Sequence, residues 1–415
     1  MEAFDITAIL ITLAALFGYL NYRFLKLPTT IAIMLMSLVV ALLIILFGSS
    51  SGFITTAATK IVSGIDFNEV LMEGMLCFLL FAGALHVNLN DLANQKFVIL
   101  LMATVGVLIS TAIVGFASYY LFQALSLNIP LIHCLLFGAL ISPTDPVAVL
   151  GILKQAGVPK SLETKITGES LFNDGVGVVV FITILKVATH QEELSAQLIL
   201  HEFTVEALGG IAFGLALGAL GFYLLKSIDN YQVEVLITLA VVTGGYSLAM
   251  ALHISGPLAM VVAGLMIGNH GRALAMSQTT RKRLDVFWEL VDEVLNAVLF
   301  VLIGLELLII QWTPTALVAG LIAIPLVLTA RLIAVSTPVS ILRFFRSFDP
   351  GTIRMLTWGG LRGGISVALV LALPQGPERD LFLTITYIVV IFSIAVQGLT
   401  LNRLAKAIKK ETSPS

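Results

Sequence analysis

Gly168-Glu169-Ser170-Leu171-Phe172-Asn173-Asp174-Gly175 sets two carboxylates inside an apolar run, roughly residues 164–188, that is long enough to cross a membrane. A charge at the centre of a bilayer costs about 2.5–3.5 kcal/mol even on lenient insertion scales. A chain that keeps Glu169 and Asp174 within one span has a use for them, and the default reading is an ion or proton site. Helix is the open structure that satisfies its own backbone in lipid, so the run is predicted to be helical.

The rest of the chain agrees. Its 415 residues are 58% hydrophobic and 12% charged, where soluble domains carry about 25% charged residues. Thirteen apolar segments are read, at roughly 6–22, 29–48, 69–87, 97–123, 129–153, 164–188, 203–225, 234–252, 255–268, 286–310, 315–341, 352–373 and 381–402. The prediction is an all-α polytopic membrane protein of about thirteen transmembrane helices. With the N-terminus outside, eighteen of the 23 Lys and Arg residues fall in inside loops and the C-terminal tail. Only Lys60, Lys186 and Arg379 fall outside, and Arg331 and Arg362 lie within spans. This bias predicts a multi-pass protein of the cytoplasmic membrane with a cytoplasmic C-terminus. The start of the chain, with Glu2 and Asp5, lacks the basic region of a signal peptide. Cys77 and Cys134 sit in apolar runs and read as small buried hydrophobes. Only the tail from about Ala405 reads as soluble.

Two spans are interrupted near their centres. The fifth reads Ser142-Pro143-Thr144-Asp145-Pro146, where two prolines remove two backbone donors and clash with preceding carbonyls. The twelfth reads Gly359-Gly360-Leu361-Arg362-Gly363-Gly364, which should unwind a helix. Helix five is the fifth of helices one to six, and helix twelve the fifth of helices eight to thirteen. With helix seven as the joint, corresponding helices run in opposite directions, the pattern of an inverted-repeat transporter whose site lies where broken helices meet. Asp145 is expected to face the N-terminal helix ends and Arg362 the C-terminal ends.

Ser170, Asn173 and Asp174 share one helix face, with Gly175 and Gly177 allowing another helix close. Together with Asp145 and a freed carbonyl of the fifth helix, such as that of Thr144, they would form a cage of hard oxygens. Such a cage suits Na⁺, Li⁺ or K⁺ and not soft metals. Proton and cation would compete for Asp174. Glu169 flanks this face and is read as half of a buried ion pair with Arg331, with Arg362 as the other candidate. Glu289, Asp292 and Glu293 are expected at the start of helix ten, solvated or favouring the helix dipole, with an ion funnel or a pH sensor as the sharper alternative. Glu306 is expected at the membrane interface and His86 at the end of helix three. His201-Glu202 lacks the second histidine of a zinc-protease motif, since Val205 stands there.

Taken together, Ser142-Pro143-Thr144-Asp145-Pro146, Gly168 to Asp174, Ser255-Gly256-Pro257-Leu258-Ala259 and Gly360-Leu361-Arg362-Gly363-Gly364 resemble the NhaP-type sodium/proton antiporters. These belong to the monovalent cation:proton antiporter superfamily and are relatives of the animal sodium/hydrogen exchangers. The resemblance covers nearly the whole chain. It implies an NhaA-like fold, working as a homodimer in membrane lipid with no cofactor, and a role in pH homeostasis. Residues 97–190 and 314–404 would be an ion-translocating core, moving against a dimerisation panel of 1–96 and 232–313. Residues 203–225 would link the halves and 405–415 form a cytoplasmic tail. It implies Asp174 as the ion- and proton-binding carboxylate, assisted by Asn173 and Ser170, with Thr144 and Asp145 from the broken helix. Na⁺ would sit at Asp174, Ser170 and Thr144. An Asn-Asp pair in place of two aspartates resembles the electroneutral branch, which exchanges one Na⁺ for one H⁺. One departure stands out: helix three carries Ala82 where many relatives carry an acid, and Glu73 is nine residues away, over two turns.

The rival within this class is a K⁺/H⁺ antiporter. An intramembrane aspartyl protease built on Asp145 and Asp174 lacks the sequence context of such enzymes, and paired broken helices argue against a channel. No nucleotide or nucleic-acid partner is expected, because Gly360 to Gly364 lacks the lysine and serine of a phosphate loop.

Overall fold

The structure is a computed structural model that describes residues 3–47, 67, 69–145, 149, 153, 158–190 and 196–412. Among these the regular structure is entirely helical, and eight helices are long and apolar enough to cross a membrane. Pro146 and most of the second half of the predicted fifth span lie outside the described residues, as does Lys60. The helices are α1 Ala3–Leu20, α2 Thr29–Phe47, α3 Leu76–Leu85, α4 Leu89–Ala124, α5 Leu131–Ile141, α6 Lys160–His190 and α7 Ala196–Lys226. They continue with α8 Tyr231–Ala251, α9 Gly256–Met266, α10 Gln278–Glu306, α11 Pro314–Leu342, α12 Thr352–Trp358, α13 Gly364–Leu371, α14 Pro377–Phe392 and α15 Leu399–Thr412.

Polar residues fix where several helices begin. Asn88 accepts from the N–H groups of Asn90 and Asp91 at the start of α4, and Asn230 does the same for α8. Ser255, Ser277 and Thr313 cap α9, α10 and α11, with a proline in the first turn of α9 and α11. Several helices extend beyond the apolar runs that predicted them. α4 starts at Leu89 rather than 97, and α10 at Gln278 rather than 286. The added turns are amphipathic, and hydropathy registers only the apolar part of such a helix. Glu289, Asp292 and Glu293 therefore lie mid-helix, not at a helix start. α15 likewise runs through the predicted soluble tail. Its Ala405 and Ile408 are buried, with Ile408 against Gly351, where the backbone turns at φ 77°. Glu306, expected at the interface, is buried at the end of α10, at 3% exposure.

Two sets of helices pack mainly among themselves. α4, α5, α6, α11, α12, α13 and α14 form one; α1, α2, α3, α8, α9 and α10 form the other, with α7 laid along α9. α6 touches both α7 and α9, and α13 touches α10. Trp288 of α10 is fully buried against Phe81 of α3, and its indole N–H donates to Thr238 Oγ1 of α8 at 3.1 Å. α2 and α10 approach so closely that a Cβ on Gly304 would lie 2.2 Å from Ser37 Cβ and 3.0 Å from its carbonyl carbon. Backbone is met there, so little can shift. Gly304→Val is expected to cost about 1–3 kcal/mol through overpacking, read as a lowered midpoint of thermal aggregation in detergent. An unchanged midpoint would show that α2 and α10 can separate freely.

Candidate ion-binding site

The two interrupted helices meet end to end. α5 stops at Ile141, capped by Ser142, whose N–H donates to Ala139 O at 3.3 Å, and Pro143 to Asp145 run on outside the helix; α12 stops at Trp358, and α13 begins at Gly364. The unwound strands touch through Asp145 N–H, which donates to Leu361 O at 2.8 Å. Helix ends leave carbonyls without intrahelical partners, and Arg362 supplies donors for those of α5. Its Nη1 donates to Ser142 O at 2.5 Å and to Pro143 O at 2.8 Å. Its own N–H donates to Ser393 Oγ at 2.9 Å, a partner that no motif announced. The carboxylate of Asp145 lies at the start of α13, where a Cβ on Gly363 would fall 2.1 Å from Oδ2. Charge and helix end are thus matched at both breaks, arginine at the C-terminal end and aspartate at the N-terminal end.

α6 runs past this crossing and brings the predicted residues together. Thr144 Oγ1 shares a hydrogen bond with Ser170 Oγ at 2.9 Å. Asn173 Nδ2 donates to Thr144 Oγ1 at 2.9 Å, and its Oδ1 accepts from Thr144 N–H at 3.2 Å. The Asn173 oxygen, read from sequence as part of a cage, is therefore engaged in holding the unwound strand. Asp174 is 5% exposed, and its Oδ1 accepts no hydrogen bond from the protein. Pro143 sits against Gly177 and Leu258 against Gly175, the two close approaches those glycines permit.

Glu169 is paired as first expected. Both its carboxylate oxygens face Arg331 of α11, with Nη2 to Oε2 at 2.6 Å and Nη1 to Oε1 closer still. Arg331 also donates from Nε to Leu356 O at 3.3 Å, and Asn173 Nδ2 donates to Glu169 Oε1 at 3.3 Å. Arg362 has no hydrogen bond to Glu169. The orphaned carbonyls of α5 hold its guanidinium instead, so it belongs to the helix crossing and not to the ion pair.

A cavity of about 1210 Å³ reaches this site from one side of the molecule. Thr144, Asp145 and Asp174 line its inner end, and Lys160, Glu163, Asp285 and Glu289 line it further out. Ala82 of α3 also lines it and brings no oxygen. Asp292, placed from sequence at a helix start, and Asn296, which sequence reasoning missed, line the same cavity from α10. Their four-residue spacing on one face was the available signal.

Removing one member of a buried ion pair strands the other charge and costs about 3–5 kcal/mol. Glu169→Ala and Arg331→Ala are each expected to lower detergent stability by this order, and the double variant to regain part of it. A double-variant loss equal to the sum of the single losses would show that the two side chains are not coupled.

Residues 11–407 match the family described as sodium/hydrogen exchanger, transmembrane. The chain is 53% identical over 412 residues to the Na(+)/H(+) antiporter NhaP of Pseudomonas aeruginosa, covering 97% of this chain and 96% of that protein. It is 36% identical over 391 residues to the Na(+)/H(+) antiporter NhaH of Halobacillus dabanensis, covering 92% and 93%. The sodium proton antiporter MjNhaP1 from Methanocaldococcus jannaschii, solved at pH 8, superposes with a TM-score of 0.75 at 20% identity, over 98% of this chain and 99% of that one. That last likeness is one of fold and accords with an all-helical membrane architecture. The family match and these relatives each span nearly the whole sequence, and the chain belongs to the sodium/hydrogen exchanger family.

Proposed function

We propose that the chain is a secondary transporter exchanging Na⁺ or Li⁺ for H⁺ across the cytoplasmic membrane, with cation and proton competing for Asp174. One observation carries this reading. A carboxylate oxygen buried in a membrane protein accepts no hydrogen bond, yet its residue lines a cavity together with Thr144 and Asp145. Such a group holds either a proton or a cation, because a bare charge there is costly. Ser170 and Thr144 add hydroxyl oxygens beside it, hard donors that suit a small alkali cation. Asn173 assists by fixing Thr144, and Asp145 adds negative charge at the crossing.

In this reading the neutral or cation-loaded site can cross, and the bare anion cannot. The set of helices that contains α5, α6, α12 and α13 moves against the set that contains α2, α3 and α10. The latter serves as the scaffold of a homodimer in the bilayer. The basic loops, and with them the open end of the cavity, face the cytoplasm under the positive-inside rule. The motion is an alternating-access rocking around the crossing.

Two measurements test this. Asp174→Asn keeps shape but loses charge and proton acceptor. It is expected to insert normally and give Na⁺-dependent proton flux below a few per cent of wild type in inverted vesicles. Asp145→Asn is expected to keep a measurable fraction, since its charge stands beside the site. Wild-type flux from Asp174→Asn removes that residue from the mechanism. The second measurement concerns charge balance. Asn173 does not titrate, so one cation should exchange for one proton. A potential of 100 mV is worth about 2.3 kcal/mol per charge moved, about fiftyfold in an ion ratio. In proteoliposomes with clamped potential and fixed pH difference, the steady-state Na⁺ ratio is expected not to move. A shift of tenfold or more would mean that a second carboxylate shares the cycle.

A further inference from the structure

We propose that Asp292 and Asn296 of α10 form a second, weaker station for a monovalent cation on the path to Asp174, an inference that rests on the transport reading above. The face of α10 is continuous. Asp285, Glu289, Asp292, Asn296 and Leu299 follow at steps of four, three, four and three residues, which keeps them on one side of a helix. All five line the cavity. Leu299 lies against Gly364, which pins the inner end of this stripe beside the break where Asp145 sits. Asp292 is seven residues, about 10 Å, further out along the axis.

The chemistry of the station follows from its partners. Asn296 is buried at 2% exposure, and its Nδ2 donates to Asp292 O at 2.8 Å and to Asp292 Oδ1 at 3.1 Å. The amide thereby holds the carboxylate in one position and uses only one of its oxygens. Counter-charge is scarce. Lys160 is the one lysine or arginine among the described lining residues, and it is bound to Asp91 at 2.6 Å. Asp285 is taken by Arg272. Asp292 is half-buried and makes no ion pair with a lysine or arginine among the described residues. Ala82 of the neighbouring α3 also lines the cavity, and its side chain adds neither charge nor oxygen.

A half-buried carboxylate without a protein cation recruits one from solution, and hard oxygens favour an alkali ion over a soft metal. The buried, unpartnered Oδ1 of Asp174 in the same cavity gives that ion a next position. Two anionic stations in series raise the local cation concentration ahead of the transport site. This raises occupancy at low cation concentration on the side to which the cavity opens, without altering the crossing step itself.

The decisive experiment separates binding from turnover. Purified full-length Asp174→Asn is expected to retain weak, saturable ²²Na⁺ binding, which Asp174→Asn/Asp292→Asn loses. Absence of binding in the first protein, or its persistence in the second, overturns the proposal. In transport, Asp292→Asn is expected to raise the apparent KM for Na⁺ three- to tenfold with maximal rate within twofold of wild type, and Asp292→Glu to restore most of the shift. A merely structural residue would lower maximal rate and thermal stability with KM unchanged, and that outcome also overturns it. Binding needs no exchange. A wild type without Na⁺-driven proton flux would therefore refute the transport reading while leaving the binding result to stand or fall alone.

Discussion

The crossing of two broken helices is the constraint on which the rest of this molecule depends. An unwound strand in a membrane is tolerable only where protein satisfies its backbone. Here the orphaned carbonyls of Ser142 and Pro143 receive the guanidinium of Arg362, and Asp145 N–H finds Leu361 O. Each break thus supplies what the other lacks. Once they are joined, α6 has a polar surface to pack on, and its Ser170, Asn173 and Asp174 have somewhere to point. Gly363 is part of the same solution, because any side chain at that position would occupy the space of the Asp145 carboxylate.

Much of this was legible in the chain, for identifiable reasons. Proline and glycine act locally, so the places where helices five and twelve break could be read directly. Charge in an apolar run is rare enough that Glu169, Asp174, Arg331 and Arg362 announced themselves. The choice of partner for Glu169 was less accessible, since it depends on which arginine is already engaged. Arg362 is engaged by carbonyls, and carbonyls leave no mark in a sequence. The same holds for Ser393, one serine among many until it meets the Arg362 N–H. Asn173 was recognised as part of the site, but its hold on Thr144 was not foreseen. Composition shows an oxygen, and only geometry shows that Thr144 already holds it.

The acidic residues of α10 failed for a different reason. Hydropathy began that helix eight residues late, which made Asp292 look like an exposed residue of a first turn. The true start is set by Ser277, a cap that precedes a charged and amphipathic stretch. Glu306 was placed at the end of this helix, where the structure has it, but its burial was not foreseen. It ends an apolar helix, and burial by neighbouring helices at such an end is invisible to a linear reading.

The amide of Asn173 also fixes how many charges this site can hold. Its NH₂ group donates both to Thr144 Oγ1 and to Glu169 Oε1, joining the unwound strand to the ion pair of α11. A carboxylate in that position would have no proton to give to either, and would set a second anion against Glu169. The inventory of hydrogen-bond donors, rather than the space around the ion, thus leaves residue 173 neutral. An evolutionary path that added an acid here would first have to find another donor for Thr144 and another neighbour for Glu169. The electrical character of the site is in this sense written into its scaffold, several bonds away from any ion.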